Sequence, residues 1–333
     1  MSRWKWNFTV LVIIGVLGVA GCSGKTANEE ELEKQVVELE RQLEQTEPED
    51  SGEPEVELPA VINLIDPNTK QTVKTIAPEE IGYGTDNETY KKEMEKIARE
   101  LARGTETEVG YDRRMILDKI AENGSVIKGT PMIILEESEL AEKIIAHSDE
   151  GGDIELPISV VETGYKPEET ASLNEVVVAS YTTYYNSSIA GRAKNIELSA
   201  DAIHNVIVGA GDYFSFNTTV GPRDEESGYQ PAEEAINGKL VMGIGGGICQ
   251  TSSTLFNAVD QLGVSYIEKH HHSVNVGYVP KGRDATVSYG GLDFRLQNTT
   301  GVPFLITTVY GNGALTVEIR TAAEYAGIIK QSI

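Results

Sequence analysis

The stretch GIGGGICQTSSTLFN at residues 243–257 decides how the rest of the chain is interpreted. Its three consecutive glycines lack a Cβ atom, so the backbone can turn sharply there and a ligand can approach the main chain closely. Cys249 follows the glycines, and apolar residues then recur at helical spacing until Gly263. The stretch therefore predicts a glycine turn that leads into a helix, with the cysteine in the first helical turn.

A cysteine at the start of a helix is a candidate nucleophile. The unpaired N–H groups and the positive end of the helix dipole stabilise a thiolate there, and the thiolate is the reactive form of the side chain. The same N–H groups can donate hydrogen bonds to an oxyanion that forms beside the sulfur. A packed, unreactive cysteine is the competing interpretation, since free cysteines are common in protein cores.

The beginning of the chain predicts an exported, lipid-anchored protein. Arg3 and Lys5 precede an apolar run at residues 8–20, and VAGC at residues 19–22 resembles a bacterial lipobox. We expect residues 1–21 to be a lipoprotein signal peptide and Cys22 to carry the lipid, which places the remainder at the outer face of the bacterial cytoplasmic membrane. The alternative is a plain membrane anchor, for which the run is short.

Charge and cysteine content narrow the partners. The net charge is −24, with 52 acidic against 28 basic residues, so nucleic acid is not an expected partner. The chain has two cysteines, and a lipidated Cys22 leaves Cys249 as a solitary thiol in an oxidising compartment. Such a thiol is a liability unless it is buried or used.

Composition divides the mature chain into a linker and two globular domains. Residues 22–59 read as a helical and acidic linker, in which Leu32, Val36, Leu39 and Leu43 form a short apolar seam. Its expected purpose is to lift the globular part off the membrane, and a weak homodimer through residues 28–46 is the alternative. Residues 60–165 and 173–322 are the two expected domains.

The predicted class is α+β, because in the second domain an antiparallel run of strands follows the helices. In residues 60–165 the patterns predict strands at 61–64, 73–76, 132–135 and 154–160, and helices at 89–103 and 140–146. In the second domain they predict a helix at 195–208 and strands at 176–184, 264–268, 285–289, 292–297, 303–310 and 315–320.

Several blocks of the second domain resemble the VanW family, which is named after accessory genes of glycopeptide antibiotic resistance. They are YTTYYNSS (181–188), FSFNTTVGPR (214–223), Gly228-Tyr229, GGGICQTSSTLFNA (245–258), HHHSVNVGYVPKGRDATV (270–287) and DFRLQNTT (293–300). Some VanW-domain proteins are cysteine L,D-transpeptidases that cross-link peptidoglycan, so the resemblance implies that activity on stem peptides. Residues 154–165 also resemble the peptidoglycan-binding domain that often precedes this family.

A thiolate needs a base, and the base needs a group that orients it. His270 and His272 lie two apart just after a predicted strand, and we expect only one of them to face the thiol. We choose His272 with His270 as second choice, and Asp284 before Asp293 as the orienting acid. Arg192 is the predicted partner of a peptide carboxylate, and Gly246, Gly247, Gln250, Ser252 and Ser253 are the other predicted substrate-binding residues.

No cofactor or metal is expected. Three adjacent histidines and a cysteine suggest zinc, but His270, His271 and His272 on one strand cannot converge on one ion. Two functions remain open from the sequence. One is cysteine-dependent acyl transfer on stem peptides, with a peptide hydrolase as its close variant, and the other is a non-catalytic peptidoglycan-binding adaptor of the cell envelope.

Overall fold

The protein was analysed as a computed structural model, which describes residues 31, 34–38, 41, 59–236 and 239–331. The chain divides into two units, Met1–Leu58 and Pro59–Ile333. In the first unit, residues 31, 34–38 and 41 are helical, in agreement with the predicted helix of the linker, and Val36 of the predicted seam is half-exposed. Cys22, the predicted signal peptide and the acidic end of the predicted linker lie outside the described residues. None of the described helices is both long and apolar enough for a bilayer crossing.

The N-terminal half of the second unit has two small sheets and two α-helices. Its elements are β1 (Ile62–Ile65), β2 (Thr72–Ile76), a 3-10 helix (Pro78–Ile81), α1 (Asn87–Arg103), β3 (Lys119–Ile120), β4 (Val126–Ile127), β5 (Met132–Leu135), α2 (Glu137–Ala146), β6 (Gly152–Glu155) and β7 (Ile158–Val161). Strand β1 pairs antiparallel with β2 and parallel with β6, and β5 pairs antiparallel with β7. The prediction of one strand at 154–160 is wrong. The strand is interrupted at Leu156-Pro157, and the residues before and after this interruption belong to strands of different sheets.

Helix α1 forms where its sequence predicts. The Asp86 side chain accepts a hydrogen bond from the Thr89 N–H at 3.1 Å and caps the N-terminus. Tyr90, Met94 and Ile97 follow at helical spacing and are buried against α2 and the β1 sheet, in a core separate from that of the C-terminal half.

The C-terminal half is built on a six-stranded antiparallel sheet in the order β4-β3-β9-β15-β16-β8. Its elements are a 3-10 helix (Pro167–Glu169), β8 (Val176–Tyr184), α3 (Ala190–Ile203), β9 (Val206–Val208), β10 (Tyr213–Ser215), α4 (Phe216–Val220), β11 (Pro231–Ile236), β12 (Lys239–Ile244), α5 (Ile248–Val259), β13 (Ser265–Glu268), β14 (Arg295–Gln297), β15 (Phe304–Gly311), β16 (Ala314–Thr321) and α6 (Ala326–Gln331). Helix α5 packs on β8 and β16 of this sheet. A separate three-stranded sheet, β10-β14-β13, covers the other side of the helix, where the ring centroids of Phe256 and Phe294 are 5.9 Å apart.

The α+β class is confirmed, and so is the hairpin between β15 and β16 at Gly311-Asn312-Gly313. The predicted helix at 195–208 is wrong at both ends. It begins at Ala190, and it stops at Ile203 because Asn205 takes a left-handed conformation with φ of 59°. The β-branched residues that follow form the buried strand β9, so Val206 belongs to the sheet and not to the helix.

Two further differences concern the segments around the cysteine. The strand predicted at 285–289 is absent, since this segment runs as irregular chain beside α5, and only Arg295–Gln297 of the strand predicted at 292–297 is paired. The hairpin of β11 and β12 was not predicted, because its Glu-rich and Gly-containing sequence lacks the alternation of a half-buried strand. Strands β3 and β4, from the expected first domain, join the sheet of the second through the pairing of Lys119 with Val206.

Asn298 is a test of this fold. It is fully buried, and its Nδ2 donates to the carbonyls of Val208, Gly209 and Val302 at 2.8–3.0 Å. Asn298→Ala would leave these acceptors without their donor, so we expect the free energy of unfolding to fall by about 3 kcal/mol. Urea denaturation monitored by circular dichroism measures the loss.

The exposed Asn68 in the turn after β1 is the matched control. Asn68→Ala should stay within about 0.5 kcal/mol of the native protein. Equal stability of both variants would contradict the structural role of Asn298.

Candidate active site

The glycine turn places Cys249 at the tip of α5. Gly245 and Gly247 have φ values of 96° and 116°, in the left-handed region that favours glycine, and Ile248 then begins the helix. A Cβ atom on Gly246 would lie 2.5 Å from the Ala232 carbonyl oxygen, so the hairpin of β11 and β12 can pack directly on this turn. Cys249 is the second residue of the helix and is partly exposed, as the sequence pattern predicts.

Polar side chains of α5 bind the irregular segment that follows the histidines. Ser252 Oγ donates to the Ala285 carbonyl at 2.5 Å, and the Ala285 N–H donates to Ser253 Oγ at 2.9 Å. One turn further along, Asn257 Nδ2 donates to the Arg283 carbonyl at 2.7 Å. Ser252 and Ser253 were predicted to bind substrate, but their buried hydroxyls take part in this internal hydrogen-bond network and do not line the groove described below.

This hydrogen-bond network brings His272 and Asp284 to the cysteine. Asp284 Oδ2 lies 2.7 Å from His272 Nδ1 and accepts the His272 main-chain N–H at 2.7 Å. On the other side of the ring, Thr286 Oγ1 is 3.2 Å from His272 Nε2 and 3.7 Å from Cys249 Sγ. His272 and Asp284 side chains are each 7% exposed, so the order Cys249, His272 and Asp284 runs from the groove into the protein.

The other two histidines point elsewhere. Residues 269–272 follow β13 and are no longer strand, so the prediction that the strand runs on through the histidines is wrong. His270 Nε2 lies 3.1 Å from Glu268 Oε1, away from the thiol, and its carbonyl accepts the Thr286 N–H at 2.9 Å. His271 is exposed and lies 3.2 Å from Asp284 Oδ1.

Asp293, the alternative orienting acid, belongs to a different network. It is buried, forms an ion pair with Arg114 at 2.9 Å, and accepts hydrogen bonds from Ser215 Oγ at 2.6 Å and from the Asn217 N–H at 2.9 Å. The structure therefore gives Asp284 the position beside the imidazole.

The environment favours the charged forms of the thiol and the imidazole. Burial raises the pKa of Cys249, but the hydrogen bond and charge of His272 and contacts with Val287 and Thr286 outweigh it, so the pKa lies below 9.0. Burial lowers the pKa of His272, but Cys249 and Asp284 outweigh it, and the pKa lies above 6.5. Burial also raises the pKa of Asp284, and its bonds to His272 and His271 bring it below 3.8. These shifts favour a thiolate, an imidazolium and an ionised aspartate over their neutral forms.

A groove of about 720 Å³ opens on Cys249. Arg192 and Gln250, both predicted to bind substrate, line it with the backbone of Gly246 and Gly247. Arg192 Nη2 donates to Gln250 Oε1 at 2.9 Å, and Gln250 Nε2 donates to Thr183 Oγ1 and the Tyr184 carbonyl, so these side chains are fixed to each other and to β8. The hairpin of β11 and β12 forms one wall through Ala232, Glu233 and Glu234.

Sequence reasoning missed many of the lining residues, among them Arg223, Tyr278 and Val287. Arg223 ends the block FSFNTTVGPR, so the signal was present, but nothing in the sequence shows that this block folds next to the cysteine. Among residues 59–236 and 239–331, no group of three or more His, Cys, Asp or Glu side chains is arranged to hold a metal ion.

Comparison with known proteins shows the family of the chain. Residues 191–320 match the family model "VanW like protein". The chain is 40% identical to the protein YoaR of Bacillus subtilis (strain 168) over 203 residues, which are 60% of this chain and 67% of YoaR. The chain belongs to the VanW family.

The VanW match contains Cys249, His272, Asp284, Arg192 and Arg223. The chain is also 32% identical over 117 residues to the vancomycin B-type resistance protein VanW of Enterococcus faecalis (strain ATCC 700802 / V583), and this covers 34% of the chain and 42% of that protein. No solved structure matches the chain.

The pH dependence of thiol alkylation tests the ion pair. With iodoacetamide, we expect the rate at Cys249 to reach half its maximum at a lower pH than the rate at free cysteine does, because the lowered pKa preserves the thiolate at lower pH. His272→Ala removes the main group that lowers this pKa, so the midpoint should rise and the rate at pH 7 should fall about tenfold for each unit of rise. His270→Ala is the matched control and should keep the native profile. An unchanged profile in His272→Ala would contradict the assignment.

Asp284→Asn tests the orienting carboxylate separately. Asp284 raises the pKa of His272, so its removal should lower the pH at which the ring loses its proton, as measured by NMR titration. Asp260→Asn is the control, since Asp260 pairs with Arg283 at 2.6 Å and does not contact the ring. A His272 pKa that stays constant in Asp284→Asn would refute the role of the carboxylate.

Proposed function

We propose that the protein is a cell-envelope acyltransferase that uses Cys249 to cross-link peptidoglycan stem peptides, with the chemistry of an L,D-transpeptidase. The observation that carries the proposal is the line of Cys249, His272 and Asp284, which begins at an open groove and runs into the protein. Membership of the VanW family supports a role in the cell envelope. Lipid attachment at Cys22, proposed from the lipobox alone, would hold the enzyme beside its polymeric substrate.

The first half-reaction forms a thioester. The Cys249 thiolate attacks the carbonyl carbon of a donor stem peptide, and the negative charge moves to the carbonyl oxygen beside the positive end of α5. When the C–N bond breaks, the His272 imidazolium gives its proton to the departing amine. The terminal amino acid leaves, and the donor acyl group stays on the sulfur.

The second half-reaction transfers the acyl group. His272 is now neutral and accepts a proton from an amine of a neighbouring stem peptide, while that amine attacks the thioester. The C–S bond breaks, a new amide forms, and the thiolate–imidazolium pair is restored. Asp284 keeps its charge throughout, holding the Nδ1 proton so that Nε2 faces the reaction.

The groove suits a pair of peptides better than a small metabolite. It is lined by both the β11–β12 hairpin and the loop after the histidines, and it is open to solvent. Water that reaches the thioester would give hydrolysis in place of transfer, and the two outcomes differ only in how well the acceptor excludes it.

Cys249→Ala should abolish cross-linked product from purified muropeptides, because no other described residue in the groove can form the thioester. The native protein with donor alone should gain the mass of the donor minus its terminal residue, as seen by intact-protein mass spectrometry. Circular dichroism should show the same thermal midpoint for both proteins within a few degrees.

The alternatives predict different outcomes. A hydrolase would release shortened stem peptide without a cross-linked product, and it would still need Cys249. A binding protein would form neither product nor thioester, and Cys249→Ala would retain peptides as well as the native protein does. That last result would overturn the proposal.

A further inference from the structure

The groove holds two arginines that have no acidic ion-pair partner. Among the described residues, no carboxylate forms an ion pair with Arg192 or Arg223, although the chain carries 52 acidic residues and a net charge of −24. Glu233 and Glu234 line the same groove, but Glu234 turns back over Gly243 in its own hairpin and neither pairs with a guanidinium. Two unpaired cations beside a nucleophile in an acidic protein indicate that the groove receives an anionic ligand.

Arg223 is held rigidly in the groove wall. Its guanidinium lies 5.8 Å from the ring centroid of Phe216 and 5.6 Å from that of Tyr289, and Nη2 donates to Asn217 Oδ1 at 2.7 Å. Its aliphatic stem packs on the glycine turn, since a Cβ atom on Gly245 would lie 3.3 Å from the Arg223 Cβ. The side chain is therefore oriented before any ligand binds.

Asn217 is in turn fixed by the network around Asp293. Its N–H donates to Asp293 Oδ1 at 2.9 Å, and its Nδ2 donates to the carbonyls of Ser288 and Leu292 at 2.9 and 3.0 Å. These bonds leave Oδ1 free to accept from Arg223, and they also hold the loop that carries Tyr289. Asp293, the alternative acid for the imidazole, thus helps to hold the guanidinium of Arg223 through one intervening asparagine.

Arg223 is also the less satisfied of the two arginines. Its Nε is buried without a hydrogen-bond partner among the described residues, whereas Arg192 is bonded to the anchored Gln250. Burial lowers the pKa of Arg223. Several nearby groups oppose this effect, and a negatively charged Cys249 is one of them, so the two side chains interact across the groove. A partly buried guanidinium with unused bonding capacity gains most from a carboxylate.

We propose that Arg223 binds the terminal carboxylate of the acyl donor and so restricts the enzyme to peptides with one free-acid residue beyond the attacked carbonyl. This rests on the proposed acyl transfer. In such a peptide the carboxylate carbon lies only about 4 Å from the attacked carbonyl carbon, because one N and one Cα separate them. A cation in the wall beside Cys249 is placed to select this end of the chain, and the carboxylate leaves with the released amino acid.

Donor peptides that differ at one group test the proposal. We compare kcat/KM for a tetrapeptide donor with a free terminal acid and for the same donor as its terminal carboxamide. The native enzyme should prefer the acid by about 10- to 100-fold. Arg223→Gln should bring the ratio close to one through loss on the acid, while Arg192→Gln should keep the preference, whatever it does to the overall rate.

A native preference that survives in Arg223→Gln, or one that disappears in Arg192→Gln alone, would overturn the assignment. The native enzyme turning over acid and carboxamide equally would also overturn it and would leave the proposed transfer intact. Lack of transfer with any donor would instead count against the proposed function.

Alkylation of Cys249 gives a readout that needs no transfer. Iodoacetate carries a carboxylate and iodoacetamide does not, so the ratio of their rates reports a cation that guides an anion to the sulfur. We expect the native ratio to exceed that of free cysteine several-fold and to fall in Arg223→Gln. A native ratio no higher than that of free cysteine would refute the carboxylate site even if the variant did not fold.

Discussion

The hydrogen bonds between α5 and the main chain of residues 283–285 are the constraint on which the candidate site depends. Ser252, Ser253 and Asn257 lie on one face of the helix and hold a segment that has no strand partner of its own. Because this segment carries Asp284 and Thr286, its attachment sets the position of the imidazole relative to the sulfur. Buried hydroxyl and amide groups cost free energy unless they are paired. An incomplete hydrogen-bond network here would therefore strongly destabilise the fold. The helix that carries Cys249 therefore also positions His272.

A second consequence of this arrangement is electrostatic. A thiolate next to an imidazolium is stable only where the pair is shielded enough for its mutual attraction to outweigh the loss of hydration. Cys249 is partly exposed, His272 is mostly buried, and Asp284 ends the line, where its carboxylate accepts the main-chain N–H of His272 and lies against the ring. This gradient leaves the sulfur open to the groove while the side chains behind it are shielded from water.

The sequence was sufficient for the parts of the site whose signals are local. The glycine turn, the helix start at Cys249 and the long strands β8, β15 and β16 follow from periodicity and turn chemistry, and the choice of His272 and Asp284 agrees with the geometry.

The predictions that failed concern residues whose positions depend on contacts with distant parts of the chain. Residues 285–289 have strand composition, but the serines of α5 take their hydrogen bonds in place of a neighbouring strand. Ser252 and Ser253 looked like groove residues because they follow the cysteine, and only the packing on Ala285 shows otherwise. No pattern in the FSFNTTVGPR block could place Arg223 beside a cysteine 26 residues further along, because that proximity depends on the turn, the hairpin and the loop at Tyr289 together.

The three glycines of the turn explain why so much converges there. Each removes a side chain where another group must pass: the Arg223 stem at Gly245, the hairpin backbone at Gly246 and the Arg192 stem at Gly247. A bulkier residue at any of them would displace a wall of the groove without touching the nucleophile. The same turn that exposes Cys249 thus also places Arg192 and Arg223 in the groove. Glu233 and Glu234 line this groove as well, so the proposed preference for a carboxylate depends on the close packing of the arginines against the turn and not on net charge. If Cys249 reacts as proposed, its reactivity and its preference for a carboxylate share one structural origin, and a change in the turn would alter both together.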